Sequence, residues 1–159
     1  MSYQAVILTV SDSCAAGTRT DTSGPAIRGM LENAGFAVQA MQTVPDEEGQ
    51  ISAAIVHACD ILQADLVVTT GGTGLSPRDV TPEATLAVLD REIRAIPVAM
   101  WVEGLKSTPR AMLSRAVAGI RGHTLVLNVP GSEKAARENL GAVVATLDHA
   151  LRMLAGGGH

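Results

Sequence analysis

Short apolar runs rich in valine, isoleucine and leucine alternate along this chain with segments that have helical spacing. The clearest runs are AVILTV at residues 5–10, LVVTT at 66–70 and TLVLNV at 124–129, and residues 36–44 form a partly alternating fourth run. Apolar strands joined through helices favour a parallel sheet that is covered on both faces. We therefore predict an α/β fold of three layers, a sandwich with a mostly parallel central sheet and helices on both faces, as in Rossmann-like domains.

Helical spacing and cap residues predict where the first intervening helices begin and end. Apolar residues recur at helical intervals from Pro25 until Gly35, which is expected to stop that helix. Asp46, in the sequence PDEE, is predicted to cap the next helix, and Pro82 to occupy the first position of another. These helices follow the first three strands, as a parallel sheet requires.

The second half of the chain is less regular. Proline and glycine residues interrupt the stretch from 93 to 122, which predicts two short helices at 98–105 and 111–118. Ser132 is expected to cap a long last helix, and the three glycines at 156–158 are expected to end it. This last helix is predicted to supply one layer of the sandwich.

Composition limits the number of domains and the class of ligand. The chain has 159 residues, of which 47% are hydrophobic, and this suffices for one well-buried core but hardly for two. Residues 1–159 are therefore predicted to form a single domain. A net charge of −4 and only three aromatic residues argue against nucleic-acid binding, which favours basic patches and stacking platforms.

The cysteines and the first ten residues predict the cellular setting. Cys14 and Cys59 lack the number and spacing of a disulfide framework or a zinc site, so we interpret them as reduced thiols. Residues 1–10 carry no cationic segment before their apolar run and are interpreted as a first strand rather than a signal peptide. No run reaches the roughly 20 apolar residues of a membrane span. We expect a cytoplasmic protein without a membrane partner.

Ligands of parallel α/β sheets bind beyond the carboxyl ends of the strands, so the polar segments that follow the strands are the candidate site. The most unusual of them lies within VVTTGGTGLSPRDVTPEA at residues 67–84. Its glycines expose backbone N–H groups that suit a phosphate, although they could instead form only a tight turn. The lysine of a Walker A loop is missing, and Pro77 occupies the third glycine position of a dinucleotide fingerprint.

Asp79 follows the glycines directly and is unexpected beside a phosphate. A carboxylate and a phosphate repel each other unless a cation lies between them. Mg²⁺ commonly bridges one or two carboxylates and substrate phosphates. The sequence therefore predicts Mg²⁺ as a cofactor, with Asp79 as a candidate ligand.

A family resemblance rests on four segments of the chain. TTGGTGLSPRDVTPEA at 69–84, with VPDEE at 44–48, AMLSRAVAGIRG at 111–122 and LVLNVPGSEKA at 125–135, resembles the molybdopterin-binding family of molybdenum cofactor biosynthesis. The MogA-like molybdopterin adenylyltransferases are the most similar members, and the resemblance covers nearly the whole chain. It implies a MogA-like fold and a reaction in which the terminal phosphate of molybdopterin attacks the α-phosphorus of Mg·ATP. The products are adenylyl-molybdopterin and pyrophosphate.

The resemblance also implies roles for individual residues. It assigns Asp46 and Asp79 to catalysis and Mg²⁺ binding, and Ser114 and Arg115 to a helix on the pterin side. Lys134 and Arg78 are candidate partners for anions. The implied nucleotide and phosphate loops comprise Thr70, Gly71, Gly72, Thr73, Gly74, Asn128, Pro130 and Gly131.

Simpler interpretations remain for several polar residues. Asp46 could serve only as a helix cap, and residues 11–13 and 21–23 are interpreted as loop and cap residues without ligand contact. The four histidines, His159 among them, are scattered without metal-ligand spacing, and Trp101 is assigned to the core.

Two other functions and several partners stay open on the sequence. A MoaB-type pterin-binding protein with little or no transferase activity is one alternative, and a nucleotide-binding α/β protein outside this pathway is another. Relatives form trimers or hexamers, so the resemblance implies a homo-oligomer. It also implies the metal-inserting enzyme of the same pathway as a partner, alongside the substrates ATP and molybdopterin.

Overall fold

A computed structural model describes residues 2–157, so Met1, Gly158 and His159 lie outside the described residues. Within that range the chain forms a six-stranded sheet with the strand order β2-β1-β3-β6-β5-β4. The first three strands and β6 run parallel, whereas β5 runs antiparallel to both of its neighbours. The strands are β1 Gln4–Val10, β2 Ala37–Val44, β3 Leu66–Thr70, β4 Arg91–Glu92, β5 Ala118–Arg121 and β6 Thr124–Val129.

Helices cover both faces of this sheet. They are α1 Asp12–Ala15, α2 Ser23–Asn33, α3 Glu48–Val56, α4 Thr81–Leu86, α5 Ala95–Leu105 and α6 Glu133–Leu154, with a π-helical turn at His57–Ile61 and a 3₁₀ turn at Pro109–Leu113. Successive side chains of a strand point to opposite faces. Accordingly, Ile7 of β1 packs in a core with α2, α5 and α6, while Leu8 packs in a second core with α3 and α4. The predicted three-layer α/β fold is confirmed.

Most of the predicted helix ends are confirmed by their caps. Gly35 has φ +94° directly after the end of α2, the left-handed conformation in which many helices stop. The Ser132 hydroxyl accepts a hydrogen bond from the Ala135 amide at the start of α6, and Pro82 lies in the first turn of α4. Gly156 lies just after α6.

The prediction that Asp46 caps the next helix is wrong. Helix α3 begins at Glu48, and its N-cap position is held by Glu47, whose side chain makes no capping bond within the part of the chain that the structure describes. The Asp46 carboxylate instead accepts a hydrogen bond from the Asp12 amide at 2.9 Å. The side chain therefore turns toward the loop after β1 rather than toward its own helix.

The region from 93 to 122 departs most from the prediction. The first predicted helix is present as α5, which starts at Ala95, but the predicted helix at 111–118 is wrong. Only a 3₁₀ turn forms there, and the chain then extends into β5. Asn128 explains the difference, because its side chain accepts the Val117 amide while its backbone amide donates to the Val117 carbonyl. Pairing with β6 thus overrides the local helical preference.

Trp101 lies on α5 at the edge of the core and is partly exposed, so its assignment to the core holds only in part. No helix within residues 2–157 combines the length and apolar character needed to cross a membrane.

Candidate active site

A cleft of about 810 Å³ opens where the parallel strands end. The registers align Thr9 of β1 with Thr70 of β3, and Thr70 with Val129 of β6, so these strands finish at one edge of the sheet. The loops that follow β1, β2, β3 and β6 line the cleft, together with several residues between 104 and 114. Ligands of open α/β sheets bind at this edge.

The glycines after β3 are required by close packing of the loop. Gly71 has φ +103°, and a Cβ atom there would lie 2.2 Å from the Val10 carbonyl oxygen. Gly72 has φ +67°, and a Cβ atom there would lie 2.3 Å from Thr81 Oγ1 and 3.1 Å from Asp46 Oδ1. Positive φ and lack of space both exclude larger residues. The glycine loop, residues 71–79, therefore presses bare backbone against β1 and Asp46.

Asp79, the last residue of the glycine loop, folds back against Gly74. A Cβ atom at Gly74 would come within 2.9 Å of Asp79 Oδ2. That oxygen accepts a hydrogen bond from the Ser76 amide at 3.0 Å, which fixes the carboxylate against the loop. Asp46 and Asp79 come from different loops and both line the cleft, so the structure brings the two predicted acidic residues into one site.

The two carboxylates are electrostatically coupled. Burial raises the pKa of Asp46 above its ordinary value, and the negative charges of Asp12 and Asp79 act in the same direction. The hydrogen bond from the Asp12 amide and the charge of Arg78 oppose this rise. A cation near Asp46 and Asp79 would relieve their mutual repulsion.

The arrangement fits Mg²⁺ bound partly by substrate. In residues 2–157 no group of three or more His, Cys, Asp or Glu side chains could hold a metal ion by itself. Asp46 and Asp79 each use Oδ2 to accept a backbone amide, and in the described part of the chain neither Oδ1 accepts a hydrogen bond. Mg²⁺ typically keeps several waters and binds one or two carboxylates together with phosphates. Two carboxylates with one free oxygen each suit that mode.

The loop after β6 packs directly on the glycine loop. The Thr70 hydroxyl donates a 2.7 Å hydrogen bond to the Pro130 carbonyl, and the Gly71 amide donates to the Val129 carbonyl at 3.1 Å. A Cβ atom at Gly131 would lie 3.2 Å from the Gly71 Cα atom. All the predicted loop residues from Thr70 to Gly74, together with Pro130 and Gly131, line the cleft.

Asn128 does not share this position. It lies within β6, fully buried, where its amide group donates hydrogen bonds to the hydroxyls of Thr69 and Thr85. The prediction that Asn128 belongs to the ligand loop is therefore corrected. Its side chain supports the strand ends below the cleft.

The two adjacent residues that were assigned to the pterin side make different contacts. Ser114 lines the cleft, but it follows the 3₁₀ turn in an extended conformation and lies on no helix. The Arg115 guanidinium donates to the carbonyls of Gly74 and Asp79, at 2.8 and 2.7 Å, and pairs with Glu83. Arg115 thus holds both ends of the segment from Gly74 to Asp79.

The two candidate anion partners, Arg78 and Lys134, lie outside the described cleft lining. Neither Arg78 nor Lys134 is among the described residues that line the cleft. Arg78 forms ion pairs with Asp12 and Glu47, while Lys134 is mostly exposed and lies 3.8 Å from Glu138.

The sequence interpretation underestimated two polar segments. Ser11, Thr22 and Ser23 line the cleft, as does Asp21. Asp21 acts as a cap, because it accepts the Gly24 amide at the start of α2, but it also accepts the Thr9 hydroxyl at the end of β1. For Ser11 the available signal was its position directly after an apolar strand, whereas residues 21–23 lie beyond α1 and had no such signal.

The two cysteines should differ sharply in reactivity. Cys14 lines the cleft and is partly exposed, whereas Cys59 is buried, and burial raises the pKa of its thiol to about 11. Because the thiolate is the reactive form, a thiol reagent at pH 8 should label one cysteine in the folded protein and two after unfolding. Peptide mapping should identify Cys14, and a ligand that fills the cleft should slow its labelling. Rapid labelling of Cys59 in the folded protein would contradict the described packing.

Comparison with known proteins agrees with this geometry. Residues 6–149 match the family described as "Probable molybdopterin binding domain". The structure of the molybdopterin biosynthesis enzyme MoaB from Thermus thermophilus is similar with a TM-score of 0.92 and 49% identity, covering 97% of both chains. The molybdopterin adenylyltransferase of Helicobacter pylori (strain J99) is 38% identical over 94% of this chain and 86% of its own.

Some relatives are much longer than this chain. The Drosophila melanogaster protein named "Molybdenum cofactor synthesis protein cinnamon" is 40% identical over 93% of this chain, which spans only 25% of that protein. The shared region therefore corresponds to one part of such proteins. The family match agrees with the fold and with a cleft that Asp46, Asp79 and the glycine loop line, and the chain belongs to the molybdopterin-binding domain family of molybdenum cofactor biosynthesis.

Proposed function

We propose that this protein is a molybdopterin adenylyltransferase that uses Mg²⁺ and ATP. The terminal phosphate of molybdopterin attacks the α-phosphorus of ATP, a new phosphoanhydride bond forms, and pyrophosphate leaves. The single observation that carries the proposal is the glycine loop in the cleft with Asp46 and Asp79 against it. The named adenylyltransferase relatives support the same activity.

The residues of the cleft supply orientation and charge stabilisation rather than a strong base. A phosphate nucleophile is already anionic, so its alignment with the α-phosphorus is the main requirement. The amides of Gly72, Thr73 and Gly74 donate no hydrogen bond within the described part of the chain, so they can donate to a phosphate. The packed Pro130–Gly131 segment offers a second wall for the nucleotide. Asp46 and Asp79 would hold Mg²⁺ through their free oxygens.

Bound Mg²⁺ would neutralise phosphate charge in the cleft. The chain fixes each carboxylate through one oxygen and leaves the second oxygen without a hydrogen-bond donor in residues 2–157. Ser76 and Asp12 occupy only one oxygen of each carboxylate with backbone amides. The other oxygens accept no hydrogen bond in the described part of the chain and stay available to a cation.

Pyrophosphate release tests the proposal. Purified protein with ATP and molybdopterin should release pyrophosphate only when Mg²⁺ is present, and omission of either substrate should abolish the signal. Molybdopterin binding without pyrophosphate release would favour the MoaB-type alternative, which the 49% identity to the Thermus thermophilus protein keeps relevant. ATP binding without molybdopterin binding would favour a nucleotide-binding protein outside the pathway.

We also propose a homo-oligomer, either a trimer or a hexamer. Val98, Val102 and Leu105 recur at helical spacing on α5 and are each about half exposed, and Met112 and Leu113 extend this apolar surface. Exposed apolar patches of this kind commonly mark protein interfaces. Light scattering of the purified protein would give its mass.

The remaining parts of the proposal concern its setting. Residues 1–159 form one molybdopterin-binding domain, and the continuous sheet within the described range supports this. The protein acts in the cytoplasm and passes its product to the metal-inserting enzyme of the pathway.

A further inference from the structure

Arg78 joins three loops that are far apart in the sequence. Its Nε and Nη2 atoms donate to the two carboxylate oxygens of Asp12, at 3.1 and 3.0 Å, and Nη2 also donates to Glu47 Oε1 at 2.9 Å. Asp12 follows β1, Glu47 follows β2, and Arg78 belongs to the glycine loop after β3. A bidentate guanidinium fixes direction as well as distance, which a single point charge does not.

Asp12 extends this link to Asp46. The Asp12 amide donates to Asp46 Oδ2 and the Asp46 amide donates to Asp12 Oδ1, both at 2.9 Å. Asp12 Oδ1 therefore accepts from both Asp46 and Arg78. Both oxygens of Asp12 are occupied, whereas Asp46 keeps Oδ1 available in the described part of the chain.

The positive charge of Arg78 offsets repulsion among three neighbouring carboxylates. Asp12, Asp46 and Asp79 are neighbouring carboxylates, and Arg78 is the cation that contacts Asp12 and lies next to Asp79 in the chain. Without Arg78, no positive charge in contact with Asp12 would offset the repulsion between the Asp12 and Asp46 carboxylates. The ion pairs themselves are about half exposed, so they contribute little to overall stability.

We propose that Arg78 is a positioning residue that, through Asp12, holds the Asp46 carboxylate at the spacing from Asp79 that a divalent cation requires. The inference rests on the proposed function, because it assumes that these two aspartates bind the metal. Groups that orient metal ligands commonly change metal affinity by 10- to 100-fold when removed. Arg78 itself touches neither the substrate nor the metal in this role.

Binding of Mn²⁺ in the presence of ATP and without molybdopterin, followed by electron paramagnetic resonance, tests the inference, because substrate phosphate completes the site while no transfer can occur. Arg78→Met should raise the dissociation constant for Mn²⁺ roughly 10-fold or more, and Asp12→Asn should act in the same direction. Arg78→Lys should restore only part of the affinity, because an ammonium group cannot bridge both oxygens of Asp12. Arg28→Met, which breaks an exposed pair with Glu32 on α2, is the matched control and should leave affinity unchanged.

Activity assays separate the two levels of the proposal. In the Arg78 variants the Mg²⁺ concentration for half-maximal pyrophosphate release should rise. The fold-decrease in kcat at saturating Mg²⁺ should be smaller than this rise. The temperature of thermal unfolding should stay close to that of wild type. If wild-type protein transfers the adenylyl group but Arg78→Met keeps wild-type Mn²⁺ affinity and Mg²⁺ dependence, the role of Arg78 is wrong. If wild-type protein neither binds Mn²⁺ nor transfers, the proposed function itself fails.

Discussion

Replacement of Asp79 by asparagine should lower the rate of adenylyl transfer by roughly 100-fold or more, a loss typical of removing one group that stabilises transition-state charge. Asparagine has nearly the same shape and can still accept the Ser76 amide, so the loop should keep its conformation. Only the negative charge that faces the cleft is lost. Steady-state pyrophosphate release measures the rate, and calorimetry of molybdopterin binding should give a dissociation constant close to that of wild type.

Asp60 provides a matched control for Asp79. Asp60→Asn also removes one partly exposed carboxylate, but Asp60 pairs with Arg121 outside the described cleft lining. Its transfer rate should stay near the wild-type value, while Asp46→Asn should resemble Asp79→Asn. An Asp79→Asn protein as active as Asp60→Asn would exclude the role assigned to Asp79.

Replacement of Gly71 by alanine should lower the free energy of unfolding by about 2–4 kcal/mol, because left-handed strain and a backbone clash act together. Its φ is +103°, and the new methyl group would lie 2.2 Å from the Val10 carbonyl oxygen, which belongs to a buried strand. Since a strand carbonyl cannot move aside as a side chain does, the loop itself must shift. Urea denaturation followed by circular dichroism gives the change.

Gly29 provides the comparison for this substitution. It lies within α2 at an ordinary φ, and an added Cβ atom would meet no atom of residues 2–157 within 4 Å beyond its chain neighbours and its own helix backbone. Gly29→Ala should therefore keep or raise stability, by up to about 1 kcal/mol, because alanine favours helix. Equal stability of the Gly71 and Gly29 variants would mean that the glycine loop is not packed against β1 as described. Transfer activity should fall only in the Gly71 variant.

The sequence predicted those elements whose pattern is local. β3 and β6 are buried along their whole length, so their apolar runs stood out, and α2 and α6 have clear helical spacing with cap residues at their ends. The segment 111–118 could not be predicted in this way. Only its start forms a 3₁₀ turn, and the path of its last residues depends on Asn128, which lies in the neighbouring strand and binds Val117.

The same distinction applies to the site. Asp46 and Asp79 could be singled out because their segments resemble a known family and follow strands of a parallel sheet. The link from Arg78 to Asp12 spans 66 residues and has no pattern that a single sequence would reveal. The family resemblance assigned Arg115 to the pterin side, and no sequence pattern indicated its bonds to Gly74 and Asp79, which arise only in the folded chain.

Mass spectrometry of the reaction mixture tests the central claim most directly. Wild-type protein with molybdopterin, ATP and Mg²⁺ should yield molybdopterin that carries one added AMP unit, in an amount equal to the pyrophosphate released. The adduct should be absent when Mg²⁺ is chelated and strongly reduced in Asp79→Asn. Molybdopterin that binds tightly and is recovered unmodified from the wild-type reaction would contradict transferase activity and leave a pterin-binding protein.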